Sequence, residues 1–403
     1  MATIAKGVGK VVAVKRESTW GTLAGDTGAK QMRRVTSNFN LVKETYESNE
    51  IRSDYMVSDL RHGVRSVEGS LNGELSPGTY SDFFAAVVAK DFASVTAISS
   101  LSVTIAASSD FFTITDGTAT FITDGVKVGD IIALTGAGLD TDNAANNLLV
   151  VTLSETVATV KVLSATPLVA EGPIASVTMT VRGKRTNAPL TGHTDDSFTV
   201  EEFYSDINQS EVFVGNKVGS VAVQLPASGL VTCDVSMMGR DLAQTGTSQY
   251  FTSPTALNTN GITASVEGAL VVNGVAVALL SSLDFTIDRG IEMAPVVGSN
   301  LNAAAFTGRI RVNGNFSSYF IDGVFRDYFN NESTVSLVVA LTTSNAKDAH
   351  ALSFTFPKIK VNSATKDDGE NGIMQQQSFV ALLNDSLAGG LIQSTIQIND
   401  TSI

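Results

Sequence analysis

The side chains that most often carry chemistry are few and scattered in this sequence. Its three histidines, His62, His193 and His350, lie far apart among loop-type neighbours, so neither a nucleophile triad nor an HxxxH metal pair is spelled. Exposed loop imidazoles are the expectation. The single cysteine, Cys233, excludes an internal disulfide and a thiolate metal cluster, and reads as a small side chain buried in a strand. Two acidic groups, "TDD" at residues 194–196 and "KDDGEN" at 366–371, hold oxygens that calcium could use but lack the DxDxDG spacing. Solvated turns are expected there, with calcium the minor reading. "LTGAGLD" contains GxG outside any strand–turn–helix frame and reads as a turn. Among 40 Asp and Glu, no pair has a convincing acid–base partner, so no catalytic residue, metal ligand or cofactor is assigned.

The informative carboxylates are those set by strand alternation. In residues 64–75 one face carries Val64, Ser66, Glu68, Ser70, Asn72 and Glu74, and the other Arg65, Val67, Gly69, Leu71, Gly73 and Leu75. Farther on, Arg309, Arg311, Asn313, Asn315 and Ser317 alternate with Ile310, Val312, Gly314, Phe316 and Ser318. An antiparallel sheet with one face in water accounts for both patterns. What that face meets is the functional question.

The elements that must position these strands follow from composition. At 403 residues the chain exceeds one ordinary core, and 43% apolar residues with 34 Gly against 8 Pro describe a folded, turn-rich, mainly β protein of more than one domain. A net charge of −13 argues against a protein built to grip phosphates. The start "MATIAKGVGK" lacks a secretory apolar core and no run of about 18 apolar residues exists, so synthesis in a cytoplasm and no membrane partner are expected. The longest apolar run, "ALVVNGVAVALL", is broken by Asn273-Gly274, a type I′ turn pair, and reads as two strands.

One cassette is written twice. "VEGSLNGELSPGTYSDFFAAVV" at residues 67–88 is strand, Pro-Gly turn and helix, and "VNGNFSSYFIDGVFRDYFNNE" at 312–332 repeats its spacing when Gly69 is set on Gly314. "NFNLVKE" at 38–44 likewise matches "DFTIDRG" at 284–290. Tyr80, Phe83, Phe84, Val87 and Val88, and again Ile321, Val324, Phe325, Tyr328 and Phe329, form an apolar stripe, so each helix is expected to lie on a sheet. Thr79 with Asp82 resembles a capping box opening the first helix, and the second helix is expected to begin about a turn earlier. The expected division is 1–94 with 186–245 as a discontinuous first unit, 95–185 as an inserted small β-barrel or sandwich, 246–260 as a linker and 261–403 as the second unit.

Taken together, "VKRESTWGTLA", "YESNEIRSDY", "GVRSVEGSLNGELSPGTYSDFFAAVV" and "NKVGSVAVQL" resemble the tail tube (major tail) proteins of long, non-contractile-tailed bacteriophages. The resemblance runs through most of residues 10–245 outside the insertion and returns faintly from about 261 to 403. It implies two tandem antiparallel β-sandwich or half-barrel units, each with one flanking helix, whose sheets join between subunits into a tube. It implies a virion tail location, no enzymatic activity, a tape-measure protein in the lumen, tail terminator and tail tip proteins at the ends, and double-stranded DNA in transit without specific binding. Lumen-facing side chains in such tubes tend to be polar and acidic, which points to Ser66, Glu68, Ser70, Asn72, Glu74, Asp284, Asp288, Asn313 and Asn315. Arg309 and Arg311 depart from that rule and are expected to pair with acids of a neighbouring strand. Two long loops resemble the one that reaches an adjacent ring, giving Tyr46, Glu47, Glu50, Arg52, Asp54, Tyr55 and Arg61 in the first and Glu292 and Asn300 in the second. Trp20, in the N-terminal arm, either binds a neighbour or plugs its own core. Because such tubes are commonly built from six single units per ring, a double unit implies a homotrimeric ring with pseudo-sixfold symmetry, a hexamer being the alternative.

A multi-domain β-rich surface adhesin or carbohydrate-binding protein is the competing reading. The missing secretory signal and the single Trp count against it.

Overall fold

The computed structural model describes residues 4–277, 280–368, 370 and 372–403. Two residues of the apolar run 269–280 and Gly369 and Asn371 of the acidic segment 366–371 lie outside these. The first unit opens with β1 (Lys10–Arg16), β2 (Lys30–Gln31), β3 (Thr36–Glu47), β4 (Leu60–Glu74) and α1 (Ser81–Val88). The insertion follows as β5 (Ile98–Ser108), β6 (Phe111–Thr115), β7 (Ile131–Thr135), β8 (Leu148–Leu153), β9 (Val157–Val162) and β10 (Glu171–Val181). After it come β11 (Lys184–Asn187), β12 (Phe198–Tyr204), β13 (Gln209–Leu225), β14 (Thr232–Gly239) and β15 (Asp241–Gly246). The second unit comprises β16 (Gly268–Val272), β17 (Val275–Ala276), β18 (Leu280–Asp288), β19 (Ile291–Ala294), β20 (Ala304–Thr307), β21 (Arg311–Tyr319), α2 (Val324–Asn330), β22 (Thr334–Thr342), β23 (Ala351–Lys366), β24 (Met374–Ala381) and β25 (Gln397–Asp400). The fold is mainly β, as the alternating runs require.

Strand pairing repeats between the units. β3 pairs with β4, β4 with β14 and β14 with β13; in the same order β18 pairs with β21, β21 with β24 and β24 with β23. Phe39 stands opposite Gly69 and Phe285 opposite Gly314, so the spacing read in the sequence is a matched register. Even the irregularities recur: a bulge between Val218 and Ser220 in β13 has its twin between Val361 and Ser363 in β23. Gly69 and Gly314 have a shared reason, since a Cβ at Gly69 would overlap the Phe39 ring and one at Gly314 the Phe379 ring. The Asn273-Gly274 turn has φ of 49° and 80°, as its sequence demands.

Each long strand, β13 and β23, serves two layers. The first half of β13 pairs with β12 and β15, while its second half pairs with β14 and, across the unit boundary, with β18. The two four-stranded sheets therefore fuse into one antiparallel sheet ordered β3–β4–β14–β13–β18–β21–β24–β23. The main core lies between this sheet and the second layer, with Phe285 against Phe354 and Phe356 at 5.0 and 5.1 Å.

The helices differ from their sequence reading. Only Asp82 of α1 keeps partial exposure, so the helix is enclosed on all sides rather than along one stripe. The second unit is the reason: Phe84 meets Phe354 at 5.6 Å, and the Arg289 guanidinium donates to the Ala86 carbonyl at 2.8 Å. No capping box forms; Asp82 instead pairs with Lys30 at 2.6 Å, and Thr79 bonds Ser76. α2 begins two residues earlier in the aligned frame than α1, leaves Ile321 ahead of its first turn, and buries none of its residues fully.

The insertion is a closed six-stranded barrel, ordered β10–β5–β6–β9–β8–β7. It stands on the second unit's outer layer. Leu337, Val339 and Leu341 of β22 point into the main core, while Val338 and Ala340, on the opposite face, join the barrel's core. Period-two alternation thus puts the barrel on the far side of the molecule from the eight-stranded sheet. The seam also holds a buried polar cluster: Asp130, fully buried, accepts from Arg185 at 2.6 Å and from the Gln397 amide at 3.0 Å. Burial pushes the Asp130 carboxyl up to about 6, outweighing the pull of the Arg185 charge. A folded value above the unfolded one gives stability that is full below about pH 4 and lost as pH rises through about 6. Asp130→Asn is accordingly expected to gain about 2–3 kcal/mol relative to the parent between pH 4 and pH 7. Thermal unfolding of both proteins across that range checks it, and parallel pH profiles would refute it.

Segment 246–260 packs on the first unit at Tyr250 and Phe251. Phe251 is buried against Ala13 and Ala29, and the backbone N–H groups of Tyr250 and Phe251 donate to the buried Glu201 carboxylate at 2.5 and 2.9 Å.

Candidate functional site

Two features stand out: a polar sheet face and two open sheet edges. Residues directly opposite in an antiparallel ladder share a face, so the register assembles the face row by row. One row runs Asn38, Ser70, Ser236, Ser220, Asp288 and Arg311. The next runs Thr36, Asn72, Asp234, Ala222, Thr286, Asn313, Val380 and Lys360. A third holds Glu74, Thr232, Gln224, Asp284, Asn315, Ser378 and Ser363. Glu68 lies one row beyond Ser70, opposite Met238 and Asn40, and Ser66 one row further, opposite Val42. The intervening residues, among them Val67, Leu71, Val221, Val235, Phe285, Val312 and Phe379, are buried.

All nine side chains to which the resemblance pointed, from Ser66 to Asn315, fall on this one face. Sequence reasoning missed Asp234, Ser236, Thr232, Gln224 and Thr286, which sit between them. Strict alternation in "TCDVSMMG" was the signal that could have found the first three. Five carboxylates, Glu68, Glu74, Asp234, Asp284 and Asp288, stand against the cations Arg311, Lys360 and Lys217, the last buried opposite Met238 and paired with Asp195, so the face is net acidic. Amides steady two of them: Asn315 donates to Asp284 at 2.9 Å and Asn72 to Asp234 at 3.4 Å. Arg311 stands directly across from Asp288, whereas Arg309 precedes the strand.

The sheet ends in two unpaired edges. Among the described residues β3 pairs with β4 alone, and residues 361–366 of β23 pair with β24 alone. Such edges are templates for another strand.

The two long loops behave differently. β3 and β4 extend as a ribbon whose tip is bare, with Ile51 and Tyr55 almost fully exposed and Met56 and Val57 largely so. Arg52 pairs with Asp54 and Arg61 with Asp59, each at 2.8 Å; Ser58 donates to Glu50, Tyr46 to Glu44, and Glu47 pairs with Leu60 in the ladder. The second loop folds into the β19–β20 hairpin, with Glu292 opposite Phe306, and returns to the first unit. There the Asn300 carbonyl accepts from the Arg65 N–H at 3.0 Å, and the Asn302 amide donates to the Arg65 carbonyl.

Trp20 packs on its own unit, donating to the Gly215 carbonyl at 3.0 Å beneath the Arg240 guanidinium. Cys233 is buried in β14 and burial raises its thiol. His193 and His350 are exposed in loops, but His62 is exposed within β4. In the segment 194–196 Asp195 pairs with Lys217 at 2.7 Å and Asp196 with Arg16 at 3.5 Å, so both carboxylates already face cations. Among the described residues no group of three or more His, Cys, Asp or Glu gathers as a metal site, and no helix is long and apolar enough to cross a membrane.

Comparison with curated proteins finds no match for the chain. A family model described as phage tail tube protein matches residues 7–381, from ahead of β1 to the end of β24, and the chain therefore belongs to the phage tail tube protein family, a structural component of the virion tail.

Proposed function

We propose that three copies close a ring in which the acidic face of the eight-stranded sheet lines the lumen, and that stacked rings form the conduit for double-stranded DNA. The observation that carries this reading is the fused sheet with one open edge from each unit. A single strand cap on either edge would end the sheet; a second copy extends it, and head-to-tail extension closes by rotation. Three copies give roughly 24 strands, beyond the 16–18 at which barrels enclose an aqueous channel. Carboxylates around that channel repel phosphates, so DNA slides without adhering. The barrel stands on the opposite side, outside the tube. The bare tip at residues 48–59 reaches the adjacent ring, a tape-measure protein occupies the lumen before DNA, and terminator and tip proteins close the ends.

End-on electron micrographs of the purified protein are expected to show open rings with six inner lobes and three outer knobs. Six knobs would replace the trimer by a hexamer, and persistent monomers in the presence of tail initiation components would overturn the ring.

A further inference from the structure

Because the chain contains two copies of its unit, its internal joint displays the contact that one unit makes with the next. We infer that the contact between two copies of the chain repeats this joint strand for strand, with residues 363–366 of β23 pairing antiparallel to β3 of the neighbour; the inference rests on the ring reading above.

The matched registers fix the correspondence. β13 corresponds to β23, with Val218 on Val361, and β18 corresponds to β3, with Phe285 on Phe39. Within the chain Ala222 stands opposite Thr286 and Val221 opposite Ile287. Between copies the same positions are Thr365 opposite Asn40 and Ala364 opposite Leu41. Asn40 and Thr365 are exposed and polar, continuing the acidic face, whereas Leu41 lies half-buried at the edge of the core.

Two further surfaces are complete at the internal joint and bare at the open one. Phe84 of α1 is buried beneath Phe354, but its counterpart in α2, Phe329, is 41% exposed. Arg289 follows β18 and donates to the Ala86 carbonyl near the end of α1. Its counterpart is Lys43 in β3, an exposed side chain; the counterpart of Ala86 is Asn331, at the end of α2. The second copy is thus the occupant whose geometry is already written in the chain. It brings the Lys43 ammonium to the carbonyl end of α2, where a cation is favoured.

The test is a disulfide scan on assembled rings. Directly opposed residues of an antiparallel pair have Cα atoms about 4.5–5.5 Å apart, within the range a disulfide spans, and residues two positions off do not. Asn40→Cys combined with Thr365→Cys is expected to give, after oxidation, a covalent ladder on non-reducing gels that ends at the full ring. Asn38→Cys with Thr365→Cys, shifted by two on the same face, is expected to remain monomeric on the gel. Native Cys233 is buried and does not interfere. Rings seen by microscopy without the first cross-link, or with the second in its place, overturn this register while leaving the ring reading intact. Absence of rings overturns both. As a second measurement, Lys43→Glu is expected to raise the concentration needed for ring formation at least tenfold, with Lys43→Arg restoring it; equal assembly of all three removes Lys43 from the contact.

Discussion

Tubes carrying Glu68→Lys, Asp234→Lys and Asp284→Lys are expected to hold double-stranded DNA that the parent tubes release. Each substitution turns a negative group on the acidic face into a positive one, and the three lie in different rows and strands of a single sheet. Non-specific binding to duplex DNA is driven by neutralised phosphates and reaches dissociation constants of about 10⁻⁴–10⁻⁶ M at physiological salt. Parent tubes, with carboxylates opposing phosphates, are expected to show no saturable binding at ~100 µM, while the variant binds in the micromolar range at 50 mM salt and loses ~10³-fold by 200 mM. Co-sedimentation of tubes with labelled DNA at several salt concentrations measures both. All three positions are at least partly exposed, so the fold should tolerate the change. Equal DNA retention by variant and parent tubes would show that this face does not meet DNA.

The second large effect concerns the joint between units. Phe285→Ala removes a fully buried ring that touches Phe354 and Phe356 and stands opposite Val223 of the other unit. A buried Phe→Ala change costs about 3–5 kcal/mol. Because the lost contacts lie on the seam that fuses the two sheets, scanning calorimetry is expected to show a lower main transition and limited proteolysis faster cleavage between the units. Phe329→Ala, at an exposed position of α2, is expected to cost the isolated chain less than about 1 kcal/mol. Comparable losses from both would contradict a core centred on Phe285.

Much of this was legible in the sequence because it is local. Side chains in a strand point alternately up and down whatever the strand pairs with, so the polar faces of residues 64–75 and 309–318 could be read before any partner was known. The Asn-Gly turn and the doubled Gly-to-helix spacing are likewise properties of short segments. The enclosure of α1 was not legible: its stripe names the face toward β13, and nothing nearby in sequence announces that Phe354 and Arg289, more than 200 residues on, cover the rest. The capping box failed for the same reason, since Asp82 finds Lys30, a charge brought close by folding.

The sequence by itself determined a mainly β chain with a cassette of repeated spacing and an acidic bias, since repetition, alternation and charge are carried by residue identity and spacing. The tertiary structure alone decided that β13 meets β18, that the barrel stands behind β22, that the Trp20 indole donates to the Gly215 carbonyl and that β3 and the end of β23 pair on one side each. Those outcomes depend on which strands find each other across long separations. Backbone hydrogen bonds are the same for every residue type but proline, so only the competition among whole packed arrangements selects the pairing.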